Sequence, residues 1–258
     1  VLKAANSYQW VIVFWAILMC GFKPLLIDAK TTKEGTQNLI NQSKAVGIIS
    51  DDVYFYSVNK INMDDFFEEK PNGGFTPNWE NEVIFCSSGT TGDVKLMIYN
   101  GECFAHQIAA SIEMPETTKD IMYPKCYGKV KILAMIPFHH IFGFVAVFLW
   151  YTWYCKTIVF PASITPSELQ NICQTRKVSH IYSVPLFWES LATQIERKAS
   201  LQSEEKKKIM DKFMNYNLGK IDEKEAGEAA RPIVKKFIQK GIWHYHYGSL
   251  PSAQVRHG

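Results

Sequence analysis

The apolar run Val83-Ile84-Phe85 leads through Cys86 into Ser87-Ser88-Gly89-Thr90-Thr91-Gly92-Asp93-Val94-Lys95, and this junction constrains the fold more than any other stretch. Three consecutive large apolar residues read as a buried strand. The small hydroxyl and glycine residues that follow read as a loop leaving a rigid sheet edge, the usual setting for ligand-binding loops. Glycines let a backbone approach a polyphosphate closely and turn its N–H groups toward it. Ser87, Ser88, Thr90 and Thr91 add hydroxyl donors, and Lys95 adds a positive charge. The same composition also suits an ordinary surface turn. The order G-x-x-G-x-x-K differs from the G-x-x-x-x-G-K-[ST] of a P-loop, which disfavours a Walker-type site.

The segment resembles the phosphate-binding signature [ST]-S-G-T-T-G-x-P-K-G of the AMP-forming acyl- and aryl-CoA synthetases. Val94 stands at the usual proline and Leu96 at the usual glycine, while the hydroxyls, Gly89, Gly92 and Lys95 are kept. Downstream, Ile136-Pro137-Phe138-His139-His140-Ile141-Phe142-Gly143-Phe144 resembles the family's P-L-F-H-x-x-G block, with His140 at the histidine that lines the acyl and adenylate pocket. A histidine pair beside apolar residues is more often structural than catalytic, but two motifs in family order weigh against coincidence. Asn6-Ser7-Tyr8-Gln9-Trp10 with Phe14 to Pro24 looks like the family's early helix-glycine-strand unit, and His180 to Pro185 like its later strand ending in V-P.

The resemblance covers about Asn6 to Lys236. It implies an α/β fold, the amino-terminal portion of the large adenylate-forming domain, with mixed or parallel sheets flanked by helices. It also implies dependence on ATP and Mg2+, activation of a small carboxylic acid as its acyl-AMP, and thioester formation with coenzyme A; the apolar segment Ile141–Trp150 beside His140 favours a fatty acid over an amino acid. Lys95 and His140 are then the expected catalytic residues, and Ser87, Ser88, Gly89, Thr90, Thr91, Gly92 and Lys95 the expected nucleotide contacts. The family's magnesium motif, ribose-binding aspartate, hinge and carboxy-terminal lysine would fall beyond Gly258, so the expectation is an incomplete fragment, inactive alone. A peptide-synthetase adenylation domain or an acyl-carrier-protein ligase shares the first half-reaction and stays open. So does a non-catalytic membrane or scaffold protein in which Ile132–Cys155 anchors the chain.

Composition narrows these alternatives. The chain has 258 residues, 47% of them hydrophobic and 21% charged, enough apolar surface for a substantial core. A formal charge of +3, with basic residues spread among acidic ones, gives no nucleic-acid surface. The six cysteines are scattered without a C-x-x-C pair, which favours reduced thiols in the cytoplasm over a disulfide framework or a zinc site. Trp10 to Phe22 is closed by Gly21, Lys23 and Pro24 before it could cross a bilayer, and Pro137, His139 and His140 interrupt Ile132–Cys155. At most peripheral membrane contact is expected.

Alternating helix and strand signals give the order of elements. Helices are expected over Trp10–Cys20, Thr36–Ser43, Gly101–Ile112, Ile141–Cys155 and Ser167–Arg176, the last opened by Pro166. Strands are expected at Pro24–Ile27, Gly47–Ile49, Val83–Phe85, Lys131–Ile136 and Thr157–Phe160, with Asp64–Asn81 as a surface connection and Val1 already inside the early helix region. Residues 1–240 read as a partial AMP-binding domain. Residues 241–258 form an atypical tail, and its His244 and His246 are not taken as metal ligands.

Overall fold

A computed structural model of the protein describes residues 1–68, 73–88, 94–113, 129–201 and 203–217. The chain divides into two compact units, Val1–Glu113 with Ile136–Phe160, and Met114–Met135 with Pro161–Gly258.

The first unit is a doubly wound α/β layer. It begins with β1 (Leu2–Lys3), α1 (Tyr8–Met19), β2 (Leu25–Ile27), α2 (Lys33–Ser43), β3 (Gly47–Ser50) and β4 (Asn59–Ile61). A short helix α3 (Asp65–Glu68), strands β5 (Glu82–Ser88) and β6 (Val94–Asn100), and α4 (Gly101–Ala110) follow. The sheet order is β4-β3-β1-β2-β5-β6, parallel throughout except for the antiparallel edge strand β6. The step from β1 to β2 and the return past β1 to β3 run in opposite directions, so right-handed crossovers place α1 and α2 on opposite faces.

Packing agrees with that winding. Leu39 of α2 joins Leu25, Ile27, Ile84, Cys86 and Leu96 on one face. On the other, Phe85 meets Phe144, and Trp10 and Phe14 of α1, stacked on each other, meet Phe138, Phe144 and Phe148 edge-on. These rings are almost completely buried. Each contributes on the order of 1.5–3 kcal/mol of transfer free energy.

Local signals explain the helix ends. Ser7 caps α1 by accepting the Trp10 N–H, and Thr32 caps α2 by accepting the Gly35 N–H. Gly21 follows α1 at φ +78, where an added Cβ would sit 2.8 Å from Asn78 Nδ2. The expected surface connection before β5 closes back on this helix: Asn78 and Glu80 donate backbone N–H bonds to the carbonyls of Met19 and Leu18. Lys3, at the end of β1, is buried, and its Nζ donates to Asp52 Oδ2 at 2.7 Å and to the Tyr56 hydroxyl at 3.3 Å.

Several expectations need correction. Val1 precedes a strand, not a helix, and β4 and β6 carry no strand expectation from sequence. Ser87 and Ser88 complete β5, and Val94 and Lys95 open β6, so these four residues flank the loop instead of lying in it. Ile141–Cys155 is not one α-helix: a π-helix occupies Gly143–Leu149, and α5 (Trp150–Trp153) completes it before β8 (Thr157–Val159). Among the described residues no helix is long and apolar enough to cross a membrane.

The second unit contains β7 (Lys131–Leu133), shorter than expected, and α6 (Pro166–Arg176), which Thr165 caps ahead of Pro166. Strand β9 (His180–Ile181) pairs parallel with β7, and α7 (Pro185–Ser200) starts at the proline of the expected V-P strand end. Helix α8 (Glu204–Asn217) carries the lysine run, with Lys207 bridging Glu204 on its exposed face. Residues 241–258 lie outside the described residues.

Candidate functional site

Ligands of open α/β sheets bind beyond the carboxyl ends of the parallel strands, and two elements of the first unit converge on that rim. The first is the β5–β6 hairpin. Ser87 faces Lys95 and Ser88 faces Val94 across the ladder, directly at the mouth of the loop. Opposed residues of an antiparallel pair project to the same side, so Ser87 and Lys95 share the face of Phe85. Lys95 is exposed and Ser87 half-buried. On the opposite side Gln42 of α2 donates to the Val94 carbonyl at 3.1 Å, tying the second arm of the hairpin to the helix layer. Gly89, Thr90, Thr91, Gly92 and Asp93 lie outside the described residues.

The second element is the segment Ile136–Gly143. Asn6, between β1 and α1, donates from Nδ2 to the Ile136 carbonyl at 2.9 Å and accepts the Phe138 N–H on Oδ1 at 2.8 Å. The segment then turns sharply, with the His140 N–H donating to the Pro137 carbonyl at 3.1 Å. Gly143 follows at the start of the π-helix, where a Cβ would lie 2.3 Å from that same carbonyl oxygen and 2.9 Å from Ile136 Cγ2. No side chain fits there, which explains why the turn ends on glycine.

The two histidines play different parts. The His139 side chain is 11% exposed, and its Nε2 lies 3.8 Å from Oδ2 of Asp28, one residue past the end of β2. Burial, reinforced by His140, pushes the His139 imidazole down to about 4 against the opposing pull of Asp28, so it is neutral near pH 7. His140 is exposed, and its ring centroid sits 4.3 Å from that of His139. Leu26 pairs with Phe85, so continuing the register places Asp28 alongside Ser87. The histidine turn and the hairpin mouth therefore share one face and one rim of neighbouring strands.

This arrangement offers a cation and a hydroxyl for an anionic ligand, beside a neutral buried imidazole that backs an accessible one. Among the described residues no group of three or more His, Cys, Asp or Glu converges as a metal site. Among the described residues five cysteines are free thiols; burial pushes Cys86, on β5, up to about 11, which leaves it unreactive. The apolar residues after His140 are largely committed to the core: Phe144, Val147, Phe148 and Trp150 are buried, while Phe142 is 56% exposed. Sequence reasoning missed Asn6 and Asp28 as supports of the histidine turn. In the sequence Asn6 stands out only as part of the early helix-glycine-strand unit, and nothing local marks Asp28.

The family model for the AMP-binding enzyme matches residues 1–248. No curated protein matches the chain. Among solved structures, o-succinylbenzoate CoA synthetase (MenE) from Bacillus subtilis, in complex with the acyl-adenylate intermediate OSB-AMP, is similar with a TM-score of 0.61 and 18% identity. That match covers 74% of this chain and 50% of the other. The AMPPNP-bound form of the nonribosomal peptide synthetase FmoA3 gives a TM-score of 0.60 at 15% identity, covering 80% of this chain and 21% of that one. A luciferase-like enzyme from the nonluminescent mealworm Zophobas morio gives 0.53 at 18% identity, covering 72% and 47%. The chain thus spans about half the length of the first of these structures, and at such identities the likeness is one of fold. With the family model covering nearly the whole sequence and a mixed α/β layer that matches these structures, the chain belongs to the AMP-binding enzyme family.

Proposed function

We propose that this chain supplies the nucleotide- and acid-activating portion of an AMP-forming acid–thiol ligase of the acyl-CoA synthetase type. The observation that carries the proposal is the placement of Ser87 and Lys95 opposite each other at the hairpin mouth, on the strand rim reached by the His139–His140 turn. In the first half-reaction a carboxylate oxygen attacks the α-phosphorus of ATP, the bond to the bridging oxygen breaks, and pyrophosphate leaves. Two anions must be brought together, so the protein's work is charge neutralisation and alignment. Lys95 and Ser87, with Ser88, Gly89, Thr90, Thr91 and Gly92, hold the β- and γ-phosphates and stabilise the departing pyrophosphate. His140 lies against the acyl group and the α-phosphate, with His139 behind it.

The exposed Lys95 ammonium and the Ser87 hydroxyl fit a polyphosphate. Mg2+, when bound, offsets phosphate charge, and the described residues would meet it through the nucleotide. In the second half-reaction a thiol attacks the acyl carbonyl and AMP leaves. Coenzyme A is the proposed acceptor, and an acyl carrier protein is the competing one. A fatty acid is the proposed substrate; its support narrows to the exposed Phe142 and the half-buried Ile141, Val145, Ala146 and Leu149, since Phe144, Val147, Phe148 and Trp150 are buried in the core.

The test is pyrophosphate exchange into ATP, run on the natural full-length polypeptide with a panel of fatty, aryl and amino acids. Lys95→Ala should lower exchange about 10- to 100-fold, because a charge-assisted phosphate contact carries roughly 1.5–3 kcal/mol. His140→Ala should lower adenylate formation more than His139→Ala. Unchanged exchange in Lys95→Ala would remove the hairpin from the mechanism, and exchange driven only by an amino acid would replace the fatty-acid assignment.

A further inference from the structure

The segment Ile136–Phe138 is buried at both ends, yet its backbone groups on the side facing Asn6 are not paired with a strand. Ile136 is 7% exposed and Phe138 0%. Buried carbonyl and N–H groups need partners. Here a single carboxamide supplies them: Asn6 donates to the Ile136 carbonyl and accepts the Phe138 N–H, bonding two residues of one chain segment as a neighbouring β-strand would. A planar amide can donate and accept at once, which a hydroxyl, a carboxylate or an ammonium cannot do across this spacing. The partners also settle its orientation, since the NH2 group must face the carbonyl. Asn6 is anchored on both sides, by β1 before it and by the Ser7 cap of α1 after it.

We infer that Asn6 is a positioning residue, whose paired amide contacts set the backbone of Ile136–Phe138 and, through the Pro137–His140 turn, the place of His140 at the strand rim. The turn leaves little slack to absorb an error. The His140 N–H bonds back to Pro137, Gly143 has no room for a side chain, and the His139 ring is lodged between Asp28 and His140. A shift of the Ile136–Phe138 backbone therefore reaches the accessible imidazole two residues later. Displacement of a contacting group by about 1 Å can cost on the order of 100-fold in rate. The catalytic consequence rests on the proposed role of His140; the positional one does not.

The experiment uses Asn6→Asp and Asn6→Ala in the natural full-length polypeptide. Ionised, the aspartate still accepts the Phe138 N–H but sets a negative charge against the Ile136 carbonyl oxygen. Protonated, it matches asparagine in shape and regains the donor; because only that form satisfies the Ile136 carbonyl, the clamp itself should raise the carboxyl above its ordinary value of about 3.9 and bring its titration into this range. Between pH 8 and pH 5, the His140 ring resonances and the kcat and KM of fatty-acid-dependent pyrophosphate exchange are followed, each as a comparison with wild type at the same pH. The charged and titratable groups around the turn, His139, His140 and Asp28, are present in all three proteins, so the comparison isolates the change at position 6.

The expected result at pH 8 is a displaced His140 resonance in both variants and a kcat at least tenfold low, with KM for ATP within threefold. Toward pH 5, Asn6→Asp should return toward wild type in both readouts by at least fivefold, and Asn6→Ala should not. Should Asn6→Ala fail to fold, Asn6→Asp alone decides through its pH dependence. A wild-type His140 resonance in Asn6→Asp at pH 8, or an offset that does not change with pH, overturns the inference. If the resonance moves and recovers while both Asn6→Asp and His140→Ala leave exchange unchanged, the amide clamp stands and the chemical role of His140 is what fails.

Discussion

Replacing Gly143 with alanine tests how tightly the histidine turn is built. The new Cβ would lie 2.3 Å from the Pro137 oxygen, whereas such contacts are essentially never closer than 3.0 Å. The difference requires the Pro137 carbonyl or the first turn of the π-helix to move by at least about 0.7 Å, and Ile136 Cγ2 and the Ile136 oxygen, both at 2.9 Å, block the neighbouring directions. Overpacking of this kind costs about 1–3 kcal/mol. Distorting the His140 N–H bond to Pro137 adds roughly 1 kcal/mol, and the better helix propensity of alanine returns about as much. The net expectation is a loss of about 1–3 kcal/mol, read as a lower urea midpoint. Because the displaced carbonyl holds the turn under His140, pyrophosphate exchange in the proposed reaction should also fall at least tenfold. Gly73→Ala is the control: a Cβ there meets nothing within 4 Å, and stability should stay within about 0.5 kcal/mol. A Gly143→Ala protein as stable as wild type, with exchange within twofold, would refute the reasoning.

Three further outcomes follow from the same structure. Asp52→Ala should cost about 3–5 kcal/mol in urea unfolding, because it strands the buried Lys3 ammonium; a loss below 1 kcal/mol would mean that Lys3 reaches water easily. Although burial opposes it, hydrogen bonds from Lys3, Tyr56 and the Tyr54 N–H hold the Asp52 carboxyl well below the usual range, so its contribution is full above the ordinary aspartate value and is lost as acid titrates the folded protein. His139, with its imidazole lowered to about 4, binds its proton less readily folded than unfolded, so stability should decline as pH falls from about 6.5 to 4, by on the order of 3 kcal/mol, and His139→Phe should flatten that decline in urea titrations at each pH. Gly21→Ala combines a left-handed φ of +78 with a 2.8 Å approach to Asn78, and should lower the thermal midpoint by several degrees in calorimetry; an unchanged midpoint would show that the residue 78–80 connection yields freely.

What the sequence determined by itself was local in physical origin. Apolar runs punctuated by Gly21, Pro24 and Pro166 act within one or two turns of chain, so α1, α2, α4, α6 and the cores of β2, β3 and β5 were legible. The order of hydroxyls, glycines and Lys95 carried the family resemblance for the same reason. Strands β1 and β4, only two or three residues long, exist because neighbours pair with them, and no window of that length holds such information. β6 needed its antiparallel partner, and that pairing moved Ser87, Ser88 and Lys95 from loop to ladder. Which histidine would be covered depended on Asp28, far away in the chain, and on packing of Phe138 beneath Trp10. The apolar segment after His140 looked like a substrate wall in sequence; tertiary contacts with α1 and β5 turned most of it into core, because rings that can bury against one another do so before a ligand arrives.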